Sequence, residues 1–362
     1  MASGFKTGVL LVNLGTPDGP DTASVRRYLR EFLMDGRVID IPAPVRWMLV
    51  NLIIAPFRAP KSAEAYGAIW TPEGSPLLVQ GHALRDGVAS RFADRDVPVV
   101  LAMRYGNPSI ESGMKTLRAA GCDHVVVVPL YPQYASSTTG TVVEVVYEYA
   151  AKLWNTPFIT VVPPFYDHPG FLDAFAGIGR PVLDEFQADH VLFSFHGLPV
   201  RHLERGDPSG VWCHKTDSCC ERAAAGEGGE GGQACYRAHC LVTARGIAER
   251  LGLSDEAWTM TFQSRLGRAE WIGPSTQDVA PELARKGTKR LAVYCPAFVS
   301  DNLETLEEIG IQLTEDFQAH GGEALQLVPS LNAEPAWVDV VVSLVEDAIV
   351  PRRRLPVLAA AE

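Results

Sequence analysis

Glu304 and Glu308, in Asp301-Asn-Leu-Glu-Thr-Leu-Glu-Glu308, are the first candidates for chemistry in the chain. At i and i+4 their carboxyls share one face of a helix, where mutual repulsion raises one proton affinity and makes a proton relay or a weak cation path. The same spacing also has a structural reading. Asp301 and Glu304 stand as in a capping box, and acids in a first turn complement the helix dipole. A further candidate is His196, in Phe193-Ser-Phe-His-Gly-Leu-Pro199, just past an apolar run and at a glycine-proline turn. Imidazole titrates near neutrality, accepts protons and can offer a lone pair to a metal.

Cysteines supply the next signal. Of the seven, Cys122 and Cys295 stand in strand-like contexts and read as buried apolar residues. Cys213, Cys219, Cys220, Cys235 and Cys240 flank a Gly-rich loop, Ala225 to Gln233. The start of the chain shows no export pattern: Met1 to Thr7 carries one Lys, and Val9 to Leu14 leads into Gly15-Thr-Pro17 without a cleavage motif. Disulfides are therefore not expected, and metal ligation is. Paired Cys-x2-Cys knuckles are missing and His214 and His239 blur the donor count, so four of the five thiolates are expected to hold a [2Fe-2S] cluster, with zinc as the alternative.

Such residues need a frame to hold them. A length of 362 residues, 47% of them hydrophobic and 21% charged, fits a soluble protein of two domains. The net charge of −11 argues against a nucleic-acid footprint, which requires clustered Lys and Arg. Short Val/Leu/Ile-rich runs, Val9 to Leu14, Val97 to Met103, Asp123 to Leu130, His190 to Phe195, Trp258 to Phe262 and Arg290 to Tyr294, read as strands. Between them, Thr22 to Met34, Leu78 to Phe92, Ser109 to Ala120, Thr141 to Leu153, Gly170 to Phe186, Tyr236 to Leu251, Leu303 to His320 and Glu334 to Val350 read as helices. That alternation predicts parallel sheets flanked by helices.

A weak internal repeat divides the chain. Val9-Leu-Leu-Val-Asn-Leu-Gly-Thr-Pro17 matches Val191-Leu-Phe-Ser-Phe-His-Gly-Leu-Pro199, and Gly121 to Pro132 echoes Gly287 to Phe298. Two similar α/β domains follow, with the C-terminal helix packing back on the first: residues 1–165 plus 325–362, and 166–324 carrying the cysteine segment 213–240. Ligands of such sheets sit beyond the carboxyl ends of the strands, which selects the neighbourhoods of Gly15, Arg104, Tyr131, His196, Gln263 and Phe298. The polar loop Tyr131 to Gly140 suits a carboxylate or phosphate, or plain helix capping. Gly15-Thr-Pro-Asp-Gly19 lacks the three-glycine dinucleotide fingerprint and no Walker motif is present, which disfavours a nicotinamide enzyme. Trp47 to Phe57 is the longest apolar stretch, but at well under the about 20 residues that span a bilayer it reads as a buried helix or a greasy lip.

Taken together, these pieces resemble the ferrochelatases, which insert ferrous iron into a porphyrin. The likeness runs from Leu10-Leu-Val-Asn-Leu-Gly-Thr-Pro17 to Ser330-Leu-Asn332. It includes Phe193 to Pro199, Arg205-Gly-Asp-Pro208, Phe262-Gln-Ser-Arg265, Trp271-Ile-Gly-Pro274 and Phe298 to Glu308. The resemblance implies two Rossmann-like domains of the chelatase type with porphyrin between them. It implies that His196 is catalytic and faces Glu304 and Glu308, with Asp301 joining them in conducting protons or iron and His196 and Glu304 meeting the substrate iron. Tyr66, Ser75, Arg104, Tyr105, Ser137 and Thr138 fall at porphyrin-pocket or propionate-side positions. Asn302 departs from the His that many relatives carry beside the Asp. The cysteine segment is similar to that of bacterial relatives with an internal [2Fe-2S] cluster.

The implied reaction gives protohaem from protoporphyrin IX, and a pocket preferring a puckered macrocycle would lower the barrier. Coproporphyrin III is the alternative substrate. The rivals are another tetrapyrrole chelatase and a non-enzymatic iron-sulfur sensor. Expected partners are porphyrin and ferrous iron, with no nucleic acid. The location is read as cytoplasmic, with peripheral contact at the inner membrane through residues 46–57, and the oligomeric state is left open.

Overall fold

Successive residues of a strand point to opposite faces, so a strand apolar at every position must be covered on both sides. Strand β1 (Thr7–Thr16) is such a strand: Val9 and Leu11 join one core and Leu10 and Val12 another. The computed structural model describes residues 6–349, apart from Gln233, Leu266 and Arg268. There β1 pairs in parallel with β2 (Val99–Gly106) and β3 (His124–Pro129), and β3 with β4 (Phe158–Val161). A second parallel sheet repeats this order, with β5 (His190–His196) between β6 (Trp258–Gln263) and β7 (Arg290–Tyr294), and β8 (Ala324–Leu327) on β7. The repeat read in the sequence is thus a repeat of topology.

The helices are α1 (Thr22–Leu33), α2 (Ala43–Met48), α3 (Ala55–Ile69), α4 (Pro76–Arg91), α5 (Ile110–Ala119), α6 (Thr141–Ala151) and α7 (Pro169–Phe186). They continue with α8 (Val200–Gly206), α9 (Cys219–Ala224), α10 (Gly229–Gly232), α11 (Tyr236–Leu251), α12 (Thr276–Arg285), α13 (Thr314–Ala319) and α14 (Pro335–Ala348). Three π-helical turns interrupt them, at Leu49–Ile54, Ser136–Gly140 and Glu304–Leu313. A central layer of α4, α7, α11 and α14 lies between the sheets and forms one large core with both. Residues of α5 and α6 cover the outer face of the first sheet, and residues of α12, the last π turn and α13 that of the second. Helix α14 packs on α4 and α7, as expected of the returning C-terminal helix.

The six foreseen strands and eight foreseen helices are present, with ends shifted by a few residues. The expected helix end at Val350 and the domain ends at residues 1–5 and 350–362 lie outside the described residues. Strands β4 and β8 escaped notice because four residues at a sheet edge leave no periodicity to read. Since β8 joins the second sheet through Leu327, the chain returns to the first half after that strand rather than at residue 325.

Candidate active site

His196 ends β5, directly opposite Gln263 at the end of β6. Gly197 follows and donates its N–H to the Gln263 carbonyl at 2.8 Å, where a Cβ would lie 2.8 Å from the same oxygen. A side chain there would force the strands apart. The His196 Nδ1 lies 2.6 Å from the Gly197 carbonyl oxygen, an acceptor, so Nδ1 carries the proton and Nε2 keeps a lone pair. Phe298 meets the ring at 6.3 Å and 72°. Burial holds the imidazole pKa below its ordinary value, against the opposing pull of the Glu308 charge and the Gly197 carbonyl. Its neutral form is favoured by this burial.

Glu304 and Glu308 lie on the π turn, a helix variant frequent at functional sites. Glu308 is tightly held. It accepts from the Ser264 N–H at 2.8 Å, the Ser264 hydroxyl, Gln277 Nε2 at 2.6 Å and Gln263 Nε2 at 3.3 Å. Ser264 adopts a left-handed φ of 67°, unusual for a residue other than glycine, and both its donors end on this carboxylate. Glu304 differs: among the described residues no other residue hydrogen-bonds its carboxyl. Burial lifts its pKa to about 7, against its own N–H, with Glu308 and Glu307 adding to the rise.

The capping reading of Asp301 and Glu304 is corrected here. The reciprocal pair is one residue on: Asn302 Oδ1 accepts from the Thr305 N–H and Thr305 Oγ1 from the Asn302 N–H, both at 3.0 Å. That shift leaves the Glu304 carboxyl free of capping duty. Asp301 instead clamps the loop after β8, accepting from Asn332 Nδ2 at 2.7 Å, the Ser330 N–H at 3.1 Å and the Thr305 hydroxyl at 3.3 Å.

The first half presents a different chemistry. Arg104 donates to Asp35 at 2.6 Å and to Thr141 at 2.7 Å, with its guanidinium 4.3 Å from the Tyr105 ring centre, and the Tyr105 hydroxyl donates to the same Asp35 oxygen at 2.8 Å. Burial opposes ionisation of Asp35, but Thr141, the Arg37 N–H, Tyr105 and Arg104 together hold its carboxyl below the usual range. The Arg104 charge is thus already paired within the first half. Ser75 is buried and accepts from Thr16 at 2.8 Å, and Thr138 donates to the Ala135 carbonyl at 3.3 Å. Ser137 is half-buried on the π turn that carries Thr138. Tyr66 faces the second half: burial, then the Glu304 charge, raise its pKa, and Tyr28 feels Glu304 too. Asp35 and Tyr28 were missed because isolated residues carry no spacing signal.

Another missed residue bridges the halves. Asp40 accepts from Arg201 Nη2 and Nε (2.6 and 2.9 Å) and from Arg205 at 3.0 Å, and His202 Nε2 stands 3.2 Å away, all three residues on α8. Beside it, α2, its π turn and α3 expose Val45, Trp47, Met48, Leu52, Ile53 and Phe57, the last 78% accessible. Among the described residues no helix is long and apolar enough to cross a membrane.

In the cysteine segment, Cys219 and Cys220 sulfurs stand 3.7 Å apart and those of Cys220 and Cys235 4.0 Å. Burial, then Cys219 and Cys220, push the Cys213 thiol up to about 12. Tetrahedral thiolates at about 2.3 Å from one metal would stand about 3.8 Å apart, so the donors suit a soft metal or cluster. Among the described residues, however, no group of three or more His, Cys, Asp or Glu side chains forms a metal-holding set. Cys240 is fully buried on α11, and His239 stacks on Tyr166 at 3.8 Å and accepts from the Tyr134 N–H, away from a donor role. The segment is tied to His196 by the Tyr236 hydroxyl, which donates to the His196 carbonyl at 2.8 Å, and to the end of α8 by Asp207, which accepts from the Trp212 and Cys213 N–H groups at 2.9 Å. Cys122 and Cys295 are buried in the outer cores, as expected.

A family model described as ferrochelatase matches residues 6–349. A ferrochelatase of Coxiella burnetii is 46% identical over 344 residues, 95% of this chain and 94% of that protein. One of Azotobacter vinelandii is 49% identical over 336 residues, 93% of this chain and 97% of that protein. Among solved structures, SirB from Bacillus subtilis with Fe3+ covers 95% of each chain at a TM-score of 0.50 and 14% identity. The sirohydrochlorin chelatase SirB from Bacillus subtilis subspecies spizizenii in complex with cobalt covers the same share at 0.53 and 10%. Identities this low bear on the fold alone.

Proposed function

We propose a division of labour within this site on the premise that the chain belongs to the ferrochelatase family and inserts ferrous iron into a porphyrin in haem synthesis. Iron entry exchanges two pyrrole N–H protons for one Fe2+, so the enzyme must take up protons on one side and handle a cation on the other. His196 is the base: its free Nε2 lone pair accepts the two pyrrole protons in turn, giving up the first to solvent before it takes the second, and the Gly197 carbonyl on Nδ1–H stabilises the imidazolium that forms each time. Glu304 is the opposite partner. With its pKa lifted to about 7 it releases a proton near neutral pH and then offers an anionic oxygen to the iron, whose remaining donors are porphyrin nitrogens. Glu308, fixed by its donors, supplies standing negative charge and a place to pass protons on. Asp301, engaged with Asn332 and Ser330, supports that path from the adjoining loop rather than carrying it.

The observation that carries this reading is a buried histidine whose Nδ1 is spent on the Gly197 carbonyl, in one site with a buried glutamate whose carboxyl no other described residue hydrogen-bonds. Protoporphyrin IX is the substrate that fits. Arg104 is neutralised by Asp35, so this wall offers little to the extra carboxylates of coproporphyrin III. Tyr66, Ser75, Tyr105, Ser137 and Thr138 shape the surrounding wall. The apolar lip at residues 46–57 suits a cytoplasmic enzyme that touches a membrane surface, where a greasy substrate would be met.

Four of Cys213, Cys219, Cys220, Cys235 and Cys240 would hold a [2Fe-2S] cluster, with zinc as the alternative, a reading supported by the 3.7 and 4.0 Å spacing of three of their sulfurs. Such a group would supply a thiolate cross-link for the segment and no step of the insertion. Purified protein that is colourless and carries zinc would sink the cluster assignment. The test of the main reading mixes anaerobic protein, ferrous iron and protoporphyrin IX and follows loss of porphyrin fluorescence, beside His196→Ala and a coproporphyrin III control. Rapid loss with the wild type and a loss slowed by at least about 100-fold with the variant is the expected result. Equal rates in both would overturn it.

A further inference from the structure

Three elements carry the site, and one fully buried side chain joins them: Gln263. Its backbone carbonyl accepts from Gly197, next to His196, at 2.8 Å. Its Nε2 donates to the Glu304 carbonyl at 2.8 Å and the Glu308 carboxylate at 3.3 Å. Its Oε1 accepts from Ser194 at 2.8 Å and faces the Cys295 sulfur at 3.6 Å. Ser194 lies on the His196 strand, so the oxygen end of the amide is read by one catalytic element and the nitrogen end by the other.

Resting on the reading above, we propose that Gln263 is a positioning residue that sets Glu304 and Glu308 in register with His196. Two features of the surroundings support it. The donors Ser194 and Cys295 on one side and the acceptors Glu304 and Glu308 on the other permit a single orientation of the amide, so the group is directional. The Glu304 carbonyl opens a π turn, and a donor from outside the helix holds it in place. Glutamate at this place would set a carboxylate against the Glu308 carboxylate and the Glu304 carbonyl. Leucine would leave both without this donor. The titratable groups facing Gln263 are Glu304, Glu308, His196 and Cys295.

Anaerobic steady-state iron insertion should be measured for Gln263→Leu, Gln263→Glu and Ser194→Ala beside wild type and His196→Ala, with thermal melts. Misplacement of the reacting groups predicts a fall in kcat of roughly 10- to 100-fold for Gln263→Leu with the porphyrin KM unchanged. In Gln263→Glu the two carboxyls share a proton, so the acid limb of the kcat profile moves to higher pH, which a merely structural role would not produce. Ser194→Ala only releases the amide to turn and gives a smaller kcat loss; it decides the matter if the Gln263 variants do not fold. Folded variants with wild-type kcat and an unmoved acid limb would overturn the proposal while leaving the role of His196 intact. Wild-type activity in His196→Ala would instead overturn the reading beneath it.

Discussion

The same turn ends the first strand of each half, and the two copies do opposite things with it. In the aligned segments Leu14 stands where the second half has His196, each followed by a glycine that a neighbouring strand crowds. A Cβ on Gly15, whose φ is 120°, would lie 1.8 Å from the Tyr105 carbonyl oxygen, as one on Gly197 would strike Gln263. At the adjoining strand end the first half places Arg104 and answers it with Asp35, Thr141 and Tyr105. The second half leaves His196 and Glu304 short of partners. Polar groups that satisfy one another make a wall; groups denied partners by burial are available for chemistry.

The largest effect that would sharpen this contrast is loss of the base. His196→Ala should slow iron insertion by roughly 10²- to 10⁴-fold, measured by porphyrin fluorescence, whereas Leu14→Ala should leave kcat alone. A comparable kcat loss from the Leu14 change would erase the distinction between the halves. Next comes the wall. Asp35→Ala strands a guanidinium that is only 14% exposed and should cost about 3–5 kcal/mol in a urea titration, with kcat of the folded protein preserved. Unchanged stability with a raised porphyrin KM would make Arg104 a substrate ligand instead.

A smaller effect concerns pH. The Glu304 carboxyl is lifted from 4.5 to about 7, so between those values the native state keeps a proton that the unfolded chain has released, and stability falls as pH rises through the window. His196 has the opposite sign: held below 6.5, it lowers stability as pH drops below that value. Glu304→Gln should remove the first slope, on the order of 1–3 kcal/mol by denaturant titration, and leave the second. An unaltered slope would mean that Glu304 ionises freely. Smallest for catalysis is the lip: Phe57→Ser with Trp47→Ser should keep kcat in detergent and weaken retention on anionic lipid vesicles. Equal retention would remove the membrane reading.

Much of this was legible in the sequence because continuous apolar runs such as Val125 to Val128, set between longer helical stretches, mark strands buried on both faces. His196, Glu304 and Glu308 were legible as residue types in motifs. What they touch was not. Asp35 and Asp40 meet their partners across separations of 69 and 161 residues, which no local spacing encodes. The cap at Asn302 and Thr305 rather than Asp301 and Glu304 depends on a one-residue choice that both pairs satisfy on paper. Gln263 was visible only as a strand end near a ligand site, since its role lies in which way its amide turns.

The single core that runs from Val9 and Leu11 through α4, α7, α11 and α14 to Phe193 and Phe195 has a further consequence. Two halves that share their interior cannot swing apart about a hinge without opening apolar surface to water along the whole central layer. Macrocycle entry and product exit must then fall to the thin parts at the rim, the α2–α3 segment and the Asp40–Arg201 bridge beside it, while the deep residues stay still.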